Sequence, residues 1–385
     1  MTSKERLLKA INGEKPDRLP VTTHHLQKYY LDNCLDGIDD AGFFEKFGMD
    51  SIAWISPVKA NESAGDFIQD EFSQGDIMQP HPVSNENWRI KQQRIEGEKY
   101  PTVRYSFITP EKTLTMTLQS NEYTSWVTDP LIKEKNDIDI LAKYLPHPLC
   151  DTGQVNSKAD DYGQTDLIRG TVLCFDLFGQ PGVWQDAACL VGIEKLMMST
   201  FDDPQWVKQL LDILFKRKKT YVDSLAGADY DILELGGGDA STTVISPDIF
   251  DEYVAPYDSN LIEAAHNAGQ KIVYHTCGGM MPILENIASM KPDAMETFTP
   301  PAMGGDTDLL EARKRLPHDI CMIGGFDQFH FFVSCSPAET RKEVRRCFEA
   351  AGKDGSYILC PSDHFFEAEP ELLSAFVDEA HKCTY

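Results

Sequence analysis

Short apolar runs alternate with amphipathic stretches along most of this chain. Eight runs end at polar or glycine-containing positions, a pattern typical of buried strands that lead into loops. They are centred near residues 20, 53, 173, 233, 273, 295, 321 and 358. Helical periodicity elsewhere predicts helices at about 3–12, 43–47, 192–199, 204–226, 247–268, 281–290, 309–316, 337–351 and 370–381.

The pattern changes between about residues 60 and 165. Residues 102–108 and 113–118 alternate with the period of two that is typical of antiparallel strands, and residues 109–112 suit a turn between them. Residues 151–161 are polar and contain glycine, which predicts a loop. We therefore predict one domain over 1–385, with an antiparallel β-hairpin region inserted at about 60–165.

Eight strand–helix units with right-handed connections predict an α/β fold of the (β/α)8 TIM-barrel type. A doubly wound nucleotide-binding sheet is the alternative, but Gly236, Gly237 and Gly238 are too short a run for the G-x-G-x-x-G pattern. The choice affects function, because functional residues of barrels lie on the loops that follow the carboxyl ends of the strands.

Charge and cysteine usage restrict the classes of partner. The chain has 36 basic and 61 acidic residues, a formal net charge of −25, which repels nucleic acid and anionic membrane surfaces. Its ten cysteines have no repeated pair spacing, and no apolar run approaches the ~20 residues of a membrane helix. The N-terminus has no signal-peptide core. We expect a cytoplasmic protein with reduced thiols.

His275 and Cys277 follow the predicted strand near residue 273 and precede two glycines. Alternate side chains of an extended strand share a face, so the imidazole and the thiol point the same way. Nitrogen and sulfur are the ligands that zinc prefers. The pair therefore suggests half of a zinc site, with a buried histidine beside a free cysteine as the alternative.

Other polar residues follow the remaining predicted strands. A barrel brings such strand ends together, so Cys360 could join His275 and Cys277 in a site with two thiolates, one imidazole and an open position, as in catalytic zinc sites. The further candidates are His24, His25, Glu234, Asp239, Glu296 and Asp327. Structural roles compete with this hypothesis: Glu234 and Asp239 could cap a helix, and Asp327 could bond loop amides.

Several segments resemble the uroporphyrinogen decarboxylase superfamily. They are the opening stretch KERLLKAINGEKPDRLPV at 4–21, Ile245-Ser246-Pro247 with Phe250, Tyr253, Pro256 and Tyr257, the turn His275-Thr276-Cys277-Gly278, and Gly324-Gly325-Phe326-Asp327. The resemblance covers most of the chain, is weakest at 60–165, and implies a (β/α)8 barrel.

The H-x-C turn resembles the cobalamin-dependent (corrinoid-dependent) methyltransferase branch of that superfamily. The decarboxylases carry an arginine-rich stretch after the first strand that grips substrate carboxylates, whereas residues 24–30 read HHLQKYY, without arginine. The branch implies methyl transfer between a small molecule and the cobalt of a separate corrinoid protein. It includes coenzyme M methyltransferases and O-demethylase components.

The resemblance leaves the third metal ligand open. In the thiol-methylating members the last cysteine follows a proline-glycine turn after strand eight, whereas Cys360 precedes Pro361 here. Asp363 or His364 could replace Cys360, and a histidine in this loop is common in the branch that demethylates methoxylated aromatics. The direction of methyl transfer therefore stays open.

These observations lead to one functional hypothesis and two alternatives. We expect a methyltransferase with zinc on His275, Cys277 and Cys360, in which zinc activates the oxygen or sulfur that loses or accepts the methyl group. Glu234, Asp239 and Glu296 are the catalytic candidates, and the substrate-binding candidates are His24, Tyr29, Tyr30, Trp54 and Asp327. The expected partners are a corrinoid protein and a small methyl donor or acceptor, and a homodimer is left open. The alternatives are a metal-independent porphyrin-type decarboxylase and a non-catalytic barrel that binds a corrinoid or tetrapyrrole.

Overall fold

The computed structural model describes residues 1–56, 83–163, 165–175 and 179–385. The strands in this part of the chain are β1 (Ile52–Trp54), β2 (Arg89–Ile95), β3 (Thr102–Ile108), β4 (Thr113–Ser120), β5 (Ser125–Asp129), β6 (Leu167–Thr171), β7 (Ile232–Gly236), β8 (Ile272–His275), β9 (Ala294–Thr297), β10 (Cys321–Gly324) and β11 (Tyr357–Ile358).

The α-helices of the same residues are α1 (Ser3–Ile11), α2 (Lys28–Cys34), α3 (Asp40–Phe47), α4 (Asp137–Tyr144), α5 (Thr152–Tyr162), α6 (Val183–Val191), α7 (Ile193–Asp202), α8 (Pro204–Asp223), α9 (Pro247–Ile249), α10 (Ala255–Asn267), α11 (Leu284–Ser289), α12 (Leu309–Arg315), α13 (Gln328–Phe331), α14 (Pro337–Cys347) and α15 (Pro370–Lys382). Short π-helical segments, Phe250–Val254 and Phe348–Gly352, separate α9 from α10 and follow α14. None of the helices in the described ranges is both long and apolar enough to cross a membrane.

Seven parallel strands form a curled sheet in the order β1, β6, β7, β8, β9, β10, β11. The strands β6 to β9 are each buried along their whole length, as expected for parallel strands whose two faces are both covered. Arg169 on β6 contacts Glu296 on β9 although β7 and β8 lie between them. The strand curvature therefore brings side chains together across the interior of the sheet.

The predicted first strand, at 18–23, forms an isolated bridge instead of a strand. Val21 pairs with Leu359 in parallel, and its carbonyl accepts a hydrogen bond from the Asp50 amide at 2.7 Å. This segment is thus bonded to residues next to both edge strands of the sheet. Pro20 explains why the pairing is short, because proline has no amide hydrogen to donate to a ladder.

A four-stranded antiparallel sheet, in the order β2, β3, β4, β5, accompanies the parallel sheet. The predicted hairpin is confirmed: β3 pairs with β4 from Ile108↔Thr113 to Thr102↔Gln119, and the Thr109 amide donates to the Lys112 carbonyl across the turn. The strands β2 and β5 extend this hairpin on both sides and were not predicted.

Two other predictions are wrong. The strand expected at 171–175 lies four residues earlier, as β6, because its polar residue Arg169 interrupts the apolar run on which the prediction depended. The loop expected at 151–161 is the helix α5, which begins where the Asp151 side chain accepts from the Gln154 amide at 3.1 Å. Val155 is the buried residue of this helix, so the segment has almost no apolar periodicity that a sequence-based prediction could detect.

Asp50 joins the N-terminal elements to the sheet. Its carboxylate is 1% exposed and accepts from the Arg6 guanidinium at 2.5 Å, from Arg18 at 3.0 Å and from the Val21 amide at 2.9 Å. Arg6 is itself buried on α1. One carboxylate therefore connects α1, the bridging segment and the residue that leads into β1.

We predict that Asp50→Ala lowers the free energy of unfolding by about 3–5 kcal/mol, because it removes the buried carboxylate that pairs with both Arg6 and Arg18. Urea denaturation followed by circular dichroism measures this loss. The control is Asp17→Ala, which removes the second carboxylate on Arg6 at a position where the side chain is 40% exposed. We expect about 1 kcal/mol or less for the control, and equal losses in the two variants would contradict the role given to Asp50.

Candidate metal centre

The end of β8 and the loop after it place His275 and Cys277 side by side. The backbone of the neighbouring strand β7 approaches the His275 carbonyl closely at Gly236. A Cβ at this position would lie 2.3 Å from the carbonyl oxygen. Gly278 has a φ of +95°, and a Cβ on it would meet the Thr243 hydroxyl at 2.6 Å. Both positions therefore require glycine for the backbone to turn after the strand.

The imidazole Nε2 of His275 lies 2.7 Å from the sulfur of Cys277. Burial raises the pKa of the Cys277 thiol, and the neighbouring His275 only partly opposes this. A cation bound at the sulfur would favour the thiolate. Burial lowers the pKa of His275, but the charges of Cys277 and Glu234 outweigh it, and the pKa is well above its usual value.

Glu296 on β9 holds the other nitrogen of the same ring. Its Oε1 lies 3.0 Å from Nδ1 of His275. A hydrogen bond from Nδ1–H to this carboxylate turns Nε2 toward Cys277, where a bound metal ion would take the place of the Nε2 proton. Metal-binding histidines usually donate their second ring N–H to a carboxylate in this manner. The nitrogen, the sulfur and the orienting carboxylate thus fit a zinc ion on the Nε2 side of His275.

Arg169 was not among the candidates from the sequence. It lies at the centre of the His/Glu cluster, which consists of His24, Glu234, His275 and Glu296. Its guanidinium donates to Glu234 at 2.6 Å through Nη2 and to Glu296 at 3.0 Å through Nη1, and Nη2 also contacts the second oxygen of Glu296. The Trp54 ring lies 4.4 Å from its guanidinium carbon. The side chain is 3% exposed, so a buried cation is enclosed by two carboxylates and an indole.

The two carboxylates respond differently to this environment. Burial raises the pKa of both, but for Glu296 the charges of Arg169 and His275 outweigh the burial and lower its pKa. For Glu234 the burial prevails over His275 and Arg169, and its pKa is raised. Glu296 is therefore held ionised, and Glu234 takes up a proton more readily.

His24 and His25 complete the cluster from the segment that follows the Val21 bridge. The His24 ring is stacked on His275 with centroids 4.9 Å apart, and its Nδ1 lies 3.7 Å from Glu296. His25 lies against Trp54, with Nε2 3.8 Å from Glu234. Burial is the main cause that lowers the pKa of both histidines, so both rings are neutral at pH 7.

The uroporphyrinogen decarboxylase (URO-D) family matches residues 179–383, more than half of the chain. The chain belongs to the URO-D family. The match covers β7 to β11, and with them Glu234, His275, Cys277 and Glu296.

The fold of this chain is similar to that of a solved structure. A methyltransferase from Methanosarcina mazei aligns over 99% of both chains with a TM-score of 0.61 and 15% identity, which supports a common fold. A B12-independent methionine synthase from Shewanella sp. W3-18-1 has a TM-score of 0.37 and 10% identity over 59% of this chain and 64% of its own. That second likeness is too low to support an argument. No curated protein sequence matches the chain.

Four other predicted site residues of this URO-D protein lie in contacts outside the His/Glu cluster. The hydroxyl of Tyr30 donates to the Ala368 carbonyl at 2.9 Å in the core, and Tyr29 packs against Tyr123 at 4.6 Å. Asp327 caps α13 by accepting from the His330 amide at 3.1 Å. The Asp239 carbonyl accepts from the Trp184 indole at 3.1 Å, and burial raises the pKa of its carboxyl. Their roles in substrate binding or catalysis stay predictions.

The three candidates for a third ligand differ in their surroundings. Cys360 is buried and lines a small interior cavity together with His24 and Arg169. Burial raises the pKa of Cys277, and the charge of Asp363 adds to this; burial opposes the lowered pKa of Asp363, which His364 and, more weakly, His275 bring about. His364 lies beside Asp363, with Nδ1 2.9 Å from the carboxylate.

The sequence does contain a signal for Arg169. It stands within an apolar run, Leu167-Ile168-Arg169-Gly170-Thr171-Val172, which is too short and too apolar for a solvent-facing strand. A buried arginine needs acidic partners, and two acidic residues inside other predicted strands, Glu234 and Glu296, were available. Placing the strand at 171–175 hid this relation.

A second buried acid supports the strand that carries His275. The Tyr274 hydroxyl donates to Asp258 on α10 at 2.9 Å. Burial is the largest influence on Asp258 and raises its pKa from 3.8 to about 6. Because this pKa is higher in the folded than in the unfolded protein, the folded state binds more protons between pH 4 and 6, and stability falls as the pH rises through that range.

We predict that Asp258→Asn removes this loss of stability. Two pKa units correspond to about 3 kcal/mol, so the wild type should lose roughly that much unfolding free energy between pH 4 and pH 7 relative to the variant. Urea unfolding of both proteins at the two pH values measures the difference. The same pH dependence in both proteins would show that Asp258 does not have a raised pKa.

Proposed function

We propose that the protein is a methyltransferase that exchanges a methyl group between a small molecule and the cobalt of a separate corrinoid protein. The observation that carries this proposal is the His275–Cys277 pair at the end of β8, with Nε2 and sulfur 2.7 Å apart and Nδ1 bonded to Glu296. The fold shared with the methyltransferase from Methanosarcina mazei supports the same class. We infer further that the parallel sheet is the (β/α)8 barrel of the prediction, with the segment at 20–22 as its eighth member.

Zinc is the metal that these donors favour, and it would be held by His275 and Cys277. When bound, zinc acts as a Lewis acid that lowers the pKa of a thiol or stabilises charge on an oxygen at the reacting heteroatom. Of the three candidates for a third ligand we favour Asp363, because its charge interacts with both His275 and Cys277. Cys360, the first choice from the sequence, lies among interior residues beside Arg169.

The carboxylates take separate roles in this proposal. Glu296 is held ionised by Arg169 and orients His275. Glu234 has a raised pKa, so it is the better candidate for a proton donor to a leaving oxygen. Glu296 is correspondingly a weaker candidate for that proton transfer. Burial also raises the pKa of Asp239, but this residue lies outside the His/Glu cluster.

Arg169 also bears on the decarboxylase alternative. An arginine at the centre of the site would suit a substrate with several carboxylates. Here Nη1 and Nη2 are already bonded to Glu234 and Glu296, and the side chain is 3% exposed. This favours the methyltransferase over a decarboxylase that grips substrate carboxylates, in agreement with the strong negative charge of the chain.

We predict about one zinc per chain in the purified protein, and its loss from the double variant His275→Ala, Cys277→Ser, because both donors are removed. Elemental analysis measures the metal. Cys189→Ser, a buried cysteine on α6, is the matched control and should keep its zinc. The reaction itself is tested by following the cobalt absorption of a corrinoid protein. The cob(I) form of that protein is mixed with candidate methyl donors, and its methyl-cobalt form is mixed with thiols.

The proposal predicts transfer in at least one direction, and a rate lower by a factor of about 100 or more in the double variant. A protein without zinc that also leaves the cobalt spectrum unchanged, but decarboxylates uroporphyrinogen, would overturn it in favour of the decarboxylase. A corrinoid protein encoded beside this chain would be the expected partner for the assay.

We further predict that Asp363→Ala weakens zinc binding by about 10-fold or more, whereas Cys360→Ser changes it by less than about 3-fold. Competition with a chromophoric chelator measures both affinities. The opposite order would restore Cys360 as the third ligand.

A further inference from the structure

His275 can meet a metal ion from two sides. Its Nε2 lies beside the Cys277 sulfur at 2.7 Å, and its Nδ1 lies beside Glu296 at 3.0 Å. On the Nδ1 side, His24, Glu234, His275 and Glu296 each offer one ligand atom, and these four atoms lie within 4.8 Å of one another. Two imidazoles and two carboxylates are a donor set that binds manganese or iron in other proteins. The same histidine thus belongs to a sulfur-containing and to a carboxylate-rich donor set.

Arg169 interacts with only one of these donor sets. Its guanidinium donates to Glu234 at 2.6 Å and to Glu296 at 3.0 Å, which uses the carboxylates that a cation on the Nδ1 side would need. The Trp54 ring, 4.4 Å from the guanidinium carbon, packs against it. A second cation on this side would stand next to a buried positive charge, where repulsion is poorly screened. No described hydrogen bond joins Arg169 to Cys277, so the Nε2 side lacks this obstacle.

We propose that Arg169 is a positioning residue that selects the metal. It closes the carboxylate side of the cluster to cations, and through Glu296 it turns the Nε2 of His275 toward Cys277. This inference rests on the proposed zinc site and adds a cause for its selectivity. Nitrogen and sulfur donors prefer zinc, whereas the carboxylate-rich side prefers Mn²⁺.

Arg169→Met tests the proposal, because methionine keeps an unbranched apolar stem against Trp54 and removes the charge. We expect the variant to bind Zn²⁺ about 10- to 100-fold more weakly, as for the loss of other groups that orient a metal-binding histidine. We also expect about one Mn²⁺ per chain to bind at concentrations at which the wild type binds none. Chelator competition measures Zn²⁺, and electron paramagnetic resonance counts free and bound Mn²⁺.

Co²⁺ loading reports which side the metal occupies. A thiolate on Co²⁺ gives a sulfur-to-metal charge-transfer absorption, which the wild type should show and Cys277→Ser should lack. In Arg169→Met we expect this absorption to fall by half or more as Co²⁺ moves to the carboxylates. Arg6→Met is the matched control, since Arg6 is also buried between two carboxylates, Asp17 and Asp50. It should lose stability and keep the wild-type cobalt spectrum.

The outcomes separate this inference from the proposed function. A wild type without the thiolate absorption would overturn both. A wild type with that absorption, together with an Arg169→Met protein of unchanged spectrum, unchanged Zn²⁺ affinity and no bound Mn²⁺, would overturn the role of Arg169 alone. If Arg169→Met does not fold, Arg169→Lys takes its place. Lysine keeps the positive charge but lacks the paired N–H donors of the guanidinium, so Zn²⁺ affinity should fall while Mn²⁺ stays excluded. Wild-type Zn²⁺ affinity in a folded Arg169→Lys protein would contradict the positioning role.

Discussion

The guanidinium of Arg169 balances the carboxylates of Glu234 and Glu296 inside the parallel sheet, and the candidate metal centre depends on this balance. Two buried carboxylates so close together would repel each other, and burial alone would protonate both. With the cation between them, Glu296 stays ionised and accepts the Nδ1–H of His275. In our proposal, the orientation of the imidazole toward Cys277 thus depends on Arg169, which lies two strands away from His275 in the sheet.

The fold makes this arrangement feasible through the curvature of its sheet. Arg169, Glu234, His275 and Glu296 come from four consecutive strands of the parallel sheet, β6 to β9. In a flat sheet the first and last of these would be well over 10 Å apart, because neighbouring strands are spaced by about 4.8 Å. Asp50 contributes from outside, because it anchors the segment that delivers His24 and His25 to the same interior.

The decarboxylase family and the proposed methyl transfer are compatible for a physical reason. A family shares the strand ends that form its site, whereas the chemistry depends on the donors that those ends carry. Here the arginine of the site is paired internally, and a nitrogen–sulfur pair stands on the adjacent loop. The same scaffold would thus supply metal chemistry in place of carboxylate recognition.

Much of this could be predicted from the sequence, and the limits have identifiable causes. The parallel strands after residue 230, the β3–β4 hairpin and the H-x-C turn follow from local apolar periodicity, turn residues and spacing, which neighbours in sequence determine. The helix α5 and the true position of β6 were missed, because α5 buries Val155 alone and Arg169 interrupts an apolar run. Pro20 similarly reduced a predicted strand to a bridge.

For the site, the sequence by itself determined that His275 and Cys277 share one face of a strand end, because that follows from the two-residue period of the backbone. Only the tertiary structure decided what surrounds them: Arg169 between Glu234 and Glu296, and His24 stacked on His275. These contacts join residues that are far apart in sequence: 127 positions separate Arg169 from Glu296, and His24 lies even farther from His275. Local pattern carries no information about such pairs, whereas the sheet curvature and the need to balance a buried charge select them.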